Sequence, residues 1–134
     1  MRRSRTLGIA ACGLAALALG ACGGGSDKED AEGTVKDIAK ATSDANGEEF
    51  CGLITKQLRE QLTGSKGDKA KDACEKLIDS QKSRKVEVTK ITKTELKGDK
   101  ATVTAELKSQ GQKRPQVFEL TKEDGKYRLA SANQ

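Results

Sequence analysis

The sequence predicts an α+β domain in which the helices come first and an antiparallel sheet follows. Two patterns carry this prediction. Apolar residues recur at helical spacing from Thr34 to Ile78, and from Val86 onward they alternate with polar ones. A third observation orders the strands. Gly98-Asp99, Gly111 and Asp124-Gly125 divide the alternating half into four segments joined by short turns, so consecutive strands should pair as a meander.

In the helical half, Val35, Ile38, Ala39 and Thr42 fall at i, i+3, i+4 and i+7 and give a first helix from Val35 to about Ala45. Thr34 followed by Asp37 resembles a capping box, and Asn46-Gly47 supplies a stop. Phe50, Leu53, Ile54, Leu58 and Leu62 continue the spacing through a second helix, which the loop from Gly64 to Gly67 breaks. A third helix opens at Asp68 as N-cap and carries Ala70, Ala73, Cys74, Leu77 and Ile78 on one stripe. In the first strand Val86, Val88, Thr92, Thr94 and Leu96 share a phase that Ile91 breaks, so a bulge is expected near Thr89-Lys90 in a long, bent strand. The second strand points Ala101, Val103, Ala105 and Leu107 inward and Thr102, Thr104 and Glu106 outward. A third strand from Gln116 to Lys122 has Phe118 and Leu120 inward, and the last strand carries Tyr127, Leu129 and Ser131 on its inward face.

The chain opens with a basic segment, Met1-Arg2-Arg3-Ser4-Arg5, and an apolar run from Leu7 to Leu19 that has the length of a secretory signal rather than of a spanning helix. It closes on Leu19-Gly20-Ala21-Cys22. This segment resembles the lipobox signals of bacterial lipoproteins, most of all the actinobacterial type of high-GC Gram-positive bacteria. The resemblance implies cleavage before Cys22, acylation of its sulfur, and residence on the extracytoplasmic face of the cell membrane. Two acyl chains suffice for stable anchoring where one does not. Cys12, after Ile9-Ala10-Ala11, is a rival lipobox, and an ordinary secretory signal followed by chance by a cysteine is the plain alternative. The expected organisation is a signal peptide over 1–21, a lipidated Cys22 with a flexible Gly/Ser/acidic tether over 22–33, and one domain over 34–134.

The whole chain has 25 basic and 20 acidic residues; loss of Arg2, Arg3 and Arg5 leaves a mature charge of +2. That balance, with only Phe50, Phe118 and Tyr127 as rings, argues against nucleic acid as a partner. The core must be built from Leu, Ile, Val and Ala, and a core that lean in a small domain is marginal without a covalent staple. Cys51 and Cys74 supply one. They lie where the second and third helices pack, in a compartment that permits disulfides. Two buried free thiols are the alternative. Metal or redox chemistry is disfavoured, because the chain has no histidine and these sulfurs lack Cys-x-x-Cys spacing; no metal or cofactor is expected.

The element order, the bent first strand, and the run Phe50-Cys51-Gly52-Leu53-Ile54 with Leu58-Arg59 and Leu62, answered by Ala73-Cys74, resemble small extracytoplasmic lipoprotein domains of the nuclear transport factor 2-like superfamily. The resemblance spans about residues 34 to 131 and implies helices on one face of a curved four-stranded sheet. Enzymes of that superfamily use acids, histidines or tyrosines that project into the cone. In this chain Glu87, Glu95, Glu106 and Glu119 fall on the outward phase, and Tyr127 is the one inward polar group, read as a core tyrosine with its hydroxyl at the rim. Gly64-Ser65-Lys66-Gly67 lacks phosphate-loop spacing, and the lysines from 82 to 100 are interspersed with acids as on a solvated face. The expected function is therefore a non-catalytic binding or protein-interaction module of the cell envelope. The alternative is a carrier of a small apolar or amphipathic ligand lined by Phe50, Phe118, Tyr127 and Leu129. An isomerase- or dehydratase-type enzyme would need inward carboxylates. Cavity volume separates these readings.

Overall fold

The computed structural model describes residues 23–133. The expected signal peptide and Cys22 lie outside the described residues. The first helix, α1, runs Gly23–Asp44 and so begins well before the expected Val35. The segment expected as a flexible tether is helical here, which corrects the boundary at Thr34. Ala31 is fully buried with Val35, Ile38 and Ala41 on one stripe, so the apolar face starts before Thr34. Two of the acids assigned to the tether are ties: Asp27 pairs with Lys122 Nζ at 2.8 Å, and Thr94 Oγ1 donates to Glu32 Oε1 at 2.7 Å. At the other end the Ser43 hydroxyl donates to the Val86 carbonyl at 2.7 Å and accepts from the Val86 N–H at 2.8 Å, pinning α1 to the first strand.

Asn46-Gly47 does more than stop α1. Ala45 takes the left-handed turn, with φ 50°, and Asn46 caps the next helix, α2 (Gly47–Gly52), by accepting from the Glu49 N–H at 3.1 Å. The expected second helix is in fact two. Between α2 and α3 (Lys56–Thr63) Leu53 caps α2 and the chain then extends at Ile54–Thr55, where Thr55 N–H donates to Leu129 O at 2.9 Å and Leu129 N–H to Leu53 O at 2.8 Å. These bonds cover part of an open sheet edge, a gain that outweighs continued helix. The last helix, α4 (Asp68–Asp79), starts at Asp68 as expected, but Gly67 is its cap, and Leu77 faces out at 43% exposure while Ala70 and Cys74 are buried.

Cys51 and Cys74 form a disulfide that joins α2 to α4 with a Cα–Cα distance of 6.1 Å, and both residues are fully buried. Here α4 packs on α2 and α3 rather than on the sheet. The closest approach is at Gly47, where any Cβ would collide with the Glu75 carbonyl oxygen. The Gly47 N–H donates to Asp79 Oδ1 at 2.8 Å.

Four strands, β1 (Val86–Lys97), β2 (Lys100–Ser109), β3 (Gln112–Glu123) and β4 (Lys126–Asn133), form one antiparallel sheet in chain order. Its turns follow the sequence. Gly98 alone is left-handed in the first, whereas Gln110 and Gly111, then Asp124 and Gly125, are both left-handed, the pattern of primed hairpin turns. The register of β1 slips at Thr89, as expected, and again at Thr92. Both bulged hydroxyls reach across, to Glu106 O at 3.1 Å and Thr104 O at 3.2 Å. The double slip puts Ile91 on the inward phase and Thr92 out, which corrects the expected inward Thr92. A third slip skips Ala130 in β4 and turns Ser131 outward, where its hydroxyl bonds Glu119 Oε2 at 2.5 Å; Ser131 is thus not an inward residue. Helix α1 lies across the concave face, and the core of Ile54, Leu120, Val35 and Val103 sits between. The sheet, the disulfide and the core cluster all lie within residues 23–133.

Candidate ligand-binding cleft

Strand lengths set the site. Strand β4 ends its pairing at Val117↔Asn133, but β3 and β2 continue together to Ser109↔Gln112. The extra length of these two strands carries Ala105 and Leu107 at the margin of the core and then runs beyond it, and between it and the C-terminal half of α1 lies a cleft of about 570 Å³, within the range of small-molecule sites. Ile38, Ala39 and Thr42 of α1, Phe50 of α2, and Val86, Leu107, Phe118, Leu129 and Ala132 of the sheet line its apolar part. Arg84, Ser109, Gln110, Gln112, Arg114 and Gln116 line its polar part.

A gradient along β3 explains the division. Residues on one phase of a strand share a face, and the inward phase here reads Gln112, Arg114, Gln116, Phe118, Leu120. Leu120 and Phe118 are buried, whereas Arg114 and Gln112 are exposed, so the wall passes from apolar interior to polar mouth within one strand. Arg114 stands beside Leu107 in register, and its Nη2 donates to Gln112 Oε1 at 3.0 Å.

Of the four residues expected to line a pocket, Phe50, Phe118 and Leu129 meet in this cleft, and Tyr127 does not. Tyr127 lies further along the sheet under the N-terminal half of α1, where its backbone carbonyl accepts from Thr34 Oγ1 at 3.3 Å and Lys122 Nζ stands 5.0 Å from its ring. Its hydroxyl is buried, not at the rim, and has no hydrogen-bond partner among the described residues. Burial raises the phenol's pKa, with Lys122 opposing. Sequence reasoning missed Arg84, Gln112, Arg114 and Gln116. The alternation that identifies Phe118 as inward runs back through the last three, but the third strand was expected to start only at Gln116.

The outward glutamates stay outside. Glu106 accepts from Thr89 Oγ1 at 2.7 Å and pairs with Lys113 at 3.3 Å; these partners hold its carboxyl below the usual range. Among the described residues no Asp, Glu, Lys, Tyr or Cys side chain lines the cleft. Among the described residues no cluster of His, Cys, Asp and Glu is arranged to hold a metal ion, and no helix is long and apolar enough to cross a membrane.

The fold and cleft define a class: a small α+β domain with its first helix laid over one face of a four-stranded meander, the shorter helices packed beside it, and a pocket at one end. The fold is nuclear transport factor 2-like. A nuclear transport factor 2-like protein of unknown function from Shewanella baltica superposes with a TM-score of 0.52 at 11% identity, over 80% of this chain and 90% of that one. A candidate dehydratase of the nuclear transport factor 2-like family from Streptomyces avermitilis gives 0.52 at 13% identity, over 81% and 94%. No protein-family model matches the sequence, and no curated protein matches it significantly.

Proposed function

We propose that this chain is a membrane-anchored extracytoplasmic lipoprotein whose domain binds a small apolar or amphipathic molecule and does not transform it. The cleft of about 570 Å³ carries this reading, because a pure interaction module would need a filled interior and an apolar outer patch. Phe50, Phe118 and Leu129 supply the apolar floor. The lipid anchor rests on Leu19-Gly20-Ala21-Cys22, and helix α1 would begin at the lipidated residue's neighbour, holding the domain close to the bilayer.

A dehydratase activity, as named for the Streptomyces neighbour, needs a group that takes a proton and one that returns it. Among the described residues the lining offers amides, hydroxyls and guanidinium groups, and no carboxylate, amine, phenol or thiol to take a proton and return it. Binding without turnover is what such a wall supports.

The test is native mass spectrometry of the protein purified from producing cells, beside Ala132→Trp. Ala132 is exposed, lines the cleft and faces Phe118 in register, so a tryptophan there fills the mouth without overpacking the core. The reading expects an adduct that the variant loses; bare mass in both would refute it. Palmitate labelling should stop, and the protein should leave the membrane fraction, in Cys22→Ala.

A further inference from the structure

We propose that the cleft selects an anionic amphiphile, an apolar chain bearing one carboxylate or phosphate head, and that Arg84 and Arg114 hold that head. The proposal rests on the ligand-binding reading above and specifies its ligand.

The choice of cation is the first argument. After Cys22 the chain holds eighteen lysines and only four arginines, yet both cations that line the cleft are arginines. A surface that needed only solubility would draw on the common residue. A guanidinium differs from an ammonium in offering a planar fork of donors that matches a carboxylate or phosphate, and it is less strongly hydrated.

Charge balance is the second. Lys28, Lys40, Lys71, Lys93, Lys113, Lys122 and Arg128 pair with carboxylates and most other cations among the described residues do not, so what sets the cleft apart is its own lining. Among the described residues Arg84 and Arg114 pair with none, and no carboxylate lines the cleft. The mouth therefore carries two uncompensated positive charges, a local field that draws anions in and repels cations. Gln112 already accepts from Arg114 and would orient its fork, while the remaining donors stay free.

Direction is the third. The inward phase of β3 sets Arg114 at the outer end and Phe118 and Leu120 at the inner end. A molecule with its head on the arginines must therefore send its tail toward Phe118, Leu129 and Ile38, and an amphiphile is the ligand class with that polarity.

The test titrates isotope-labelled protein of residues 23–134 with decanoate, decyl phosphate, decanol and inorganic phosphate, following the backbone amides of the cleft by NMR. Wild type should bind the two anionic amphiphiles about tenfold more tightly than decanol, the size expected of two partly solvated charge contacts, and the preference should shrink with added salt. Arg84→Gln with Arg114→Gln should bind all three decyl probes alike. The pair Lys69→Gln with Lys126→Gln, exposed and away from the cleft, removes the same charge and should keep the preference. Equal binding of decanol and decanoate by wild type would overturn the head-group proposal while leaving ligand binding intact. Binding of inorganic phosphate as tight as decyl phosphate would also overturn it. Failure of every decyl probe to move a cleft amide would overturn both.

Discussion

Reducing the Cys51–Cys74 bond should cost about 3 kcal/mol and should loosen one helix before it loosens the sheet. The magnitude follows from the 23-residue separation of the two cysteines, which on the loop-closure model gives about 3 kcal/mol. A domain of this size has roughly 5–15 kcal/mol in total, so the bond is a large share. With a urea dependence of about 1.5 kcal/mol per molar, the unfolding midpoint should fall by about 2 M in dithiothreitol. The location follows from packing. Helix α4 rests on α2 and α3 and not on the sheet, so without the bond it is held by Ala70, Ile78 and the Gly47 contacts, a smaller anchorage than the strands have in one another. Native-state hydrogen exchange of the reduced protein should therefore show Asp68–Asp79 losing protection first, with β2 and β3 amides still slow. A midpoint shift under about 0.5 M would refute the energetic argument, and simultaneous loss in α4 and β2 would refute the structural one.

Gly33 sits inside α1 with an ordinary negative φ and open space where a Cβ would stand, so Gly33→Ala should stabilise by about 0.5–1 kcal/mol in thermal melts; no change would favour a flexible tether after all. Gly47→Ala should destabilise by about 2 kcal/mol or more, because its Cβ meets the α4 backbone and Asp79, whereas Gly52→Ala meets nothing and should not lower the urea midpoint comparably. Tyr127→Phe removes a buried, unpartnered hydroxyl and should raise stability by about 1 kcal/mol. The same phenol has a pKa raised by burial, so the folded state holds its proton longer than the unfolded state does. Stability should be level below the ordinary tyrosine value of about 10 and fall as pH rises through it, and Tyr127→Phe should flatten that fall. As the chain's one tyrosine, Tyr127 can be followed by phenolate absorbance without ambiguity.

The fold class, the four strands and the disulfide were legible because each has a local cause: period, turn residues, and two cysteines on facing stripes. The errors arose where tertiary partners overrule local pattern. Glycine and acid in residues 23–33 have poor helix character, but Ala31 finds the core and Asp27 finds Lys122. The stripe from Phe50 to Leu62 is periodic throughout, yet Leu129 offers its backbone groups midway and the helix divides there. In β1 one bulge was visible as a phase slip at Ile91, and the second was hidden because two slips restore the phase for Thr94 and Leu96. Three of the four residues expected to line a pocket border the cleft, because large apolar residues on an inward phase are conspicuous. The arginines and glutamines were missed because polar residues near a turn look like loop.

Those polar residues also argue for function over architecture. Ordering each residue costs roughly 1–2 kcal/mol of backbone entropy, which a strand ordinarily offsets by burying its inward side chains. Gln112, Arg114 and Gln116 bury little, have no strand on their outer side among the described residues, and include Pro115 among them, which is tolerated there because an edge can do without one N–H donor. Past the Val117↔Asn133 pair the hairpin adds Ala105 and the partly buried Leu107 to the core, and the rest of it is wall. The turn of Gln110 and Gly111 must also adopt left-handed backbone to close it, in one residue without the freedom of glycine. The overhang makes physical sense as the side of a binding site, and shortening it by removing Lys108–Lys113 with a new two-residue turn should spare folding while abolishing ligand retention.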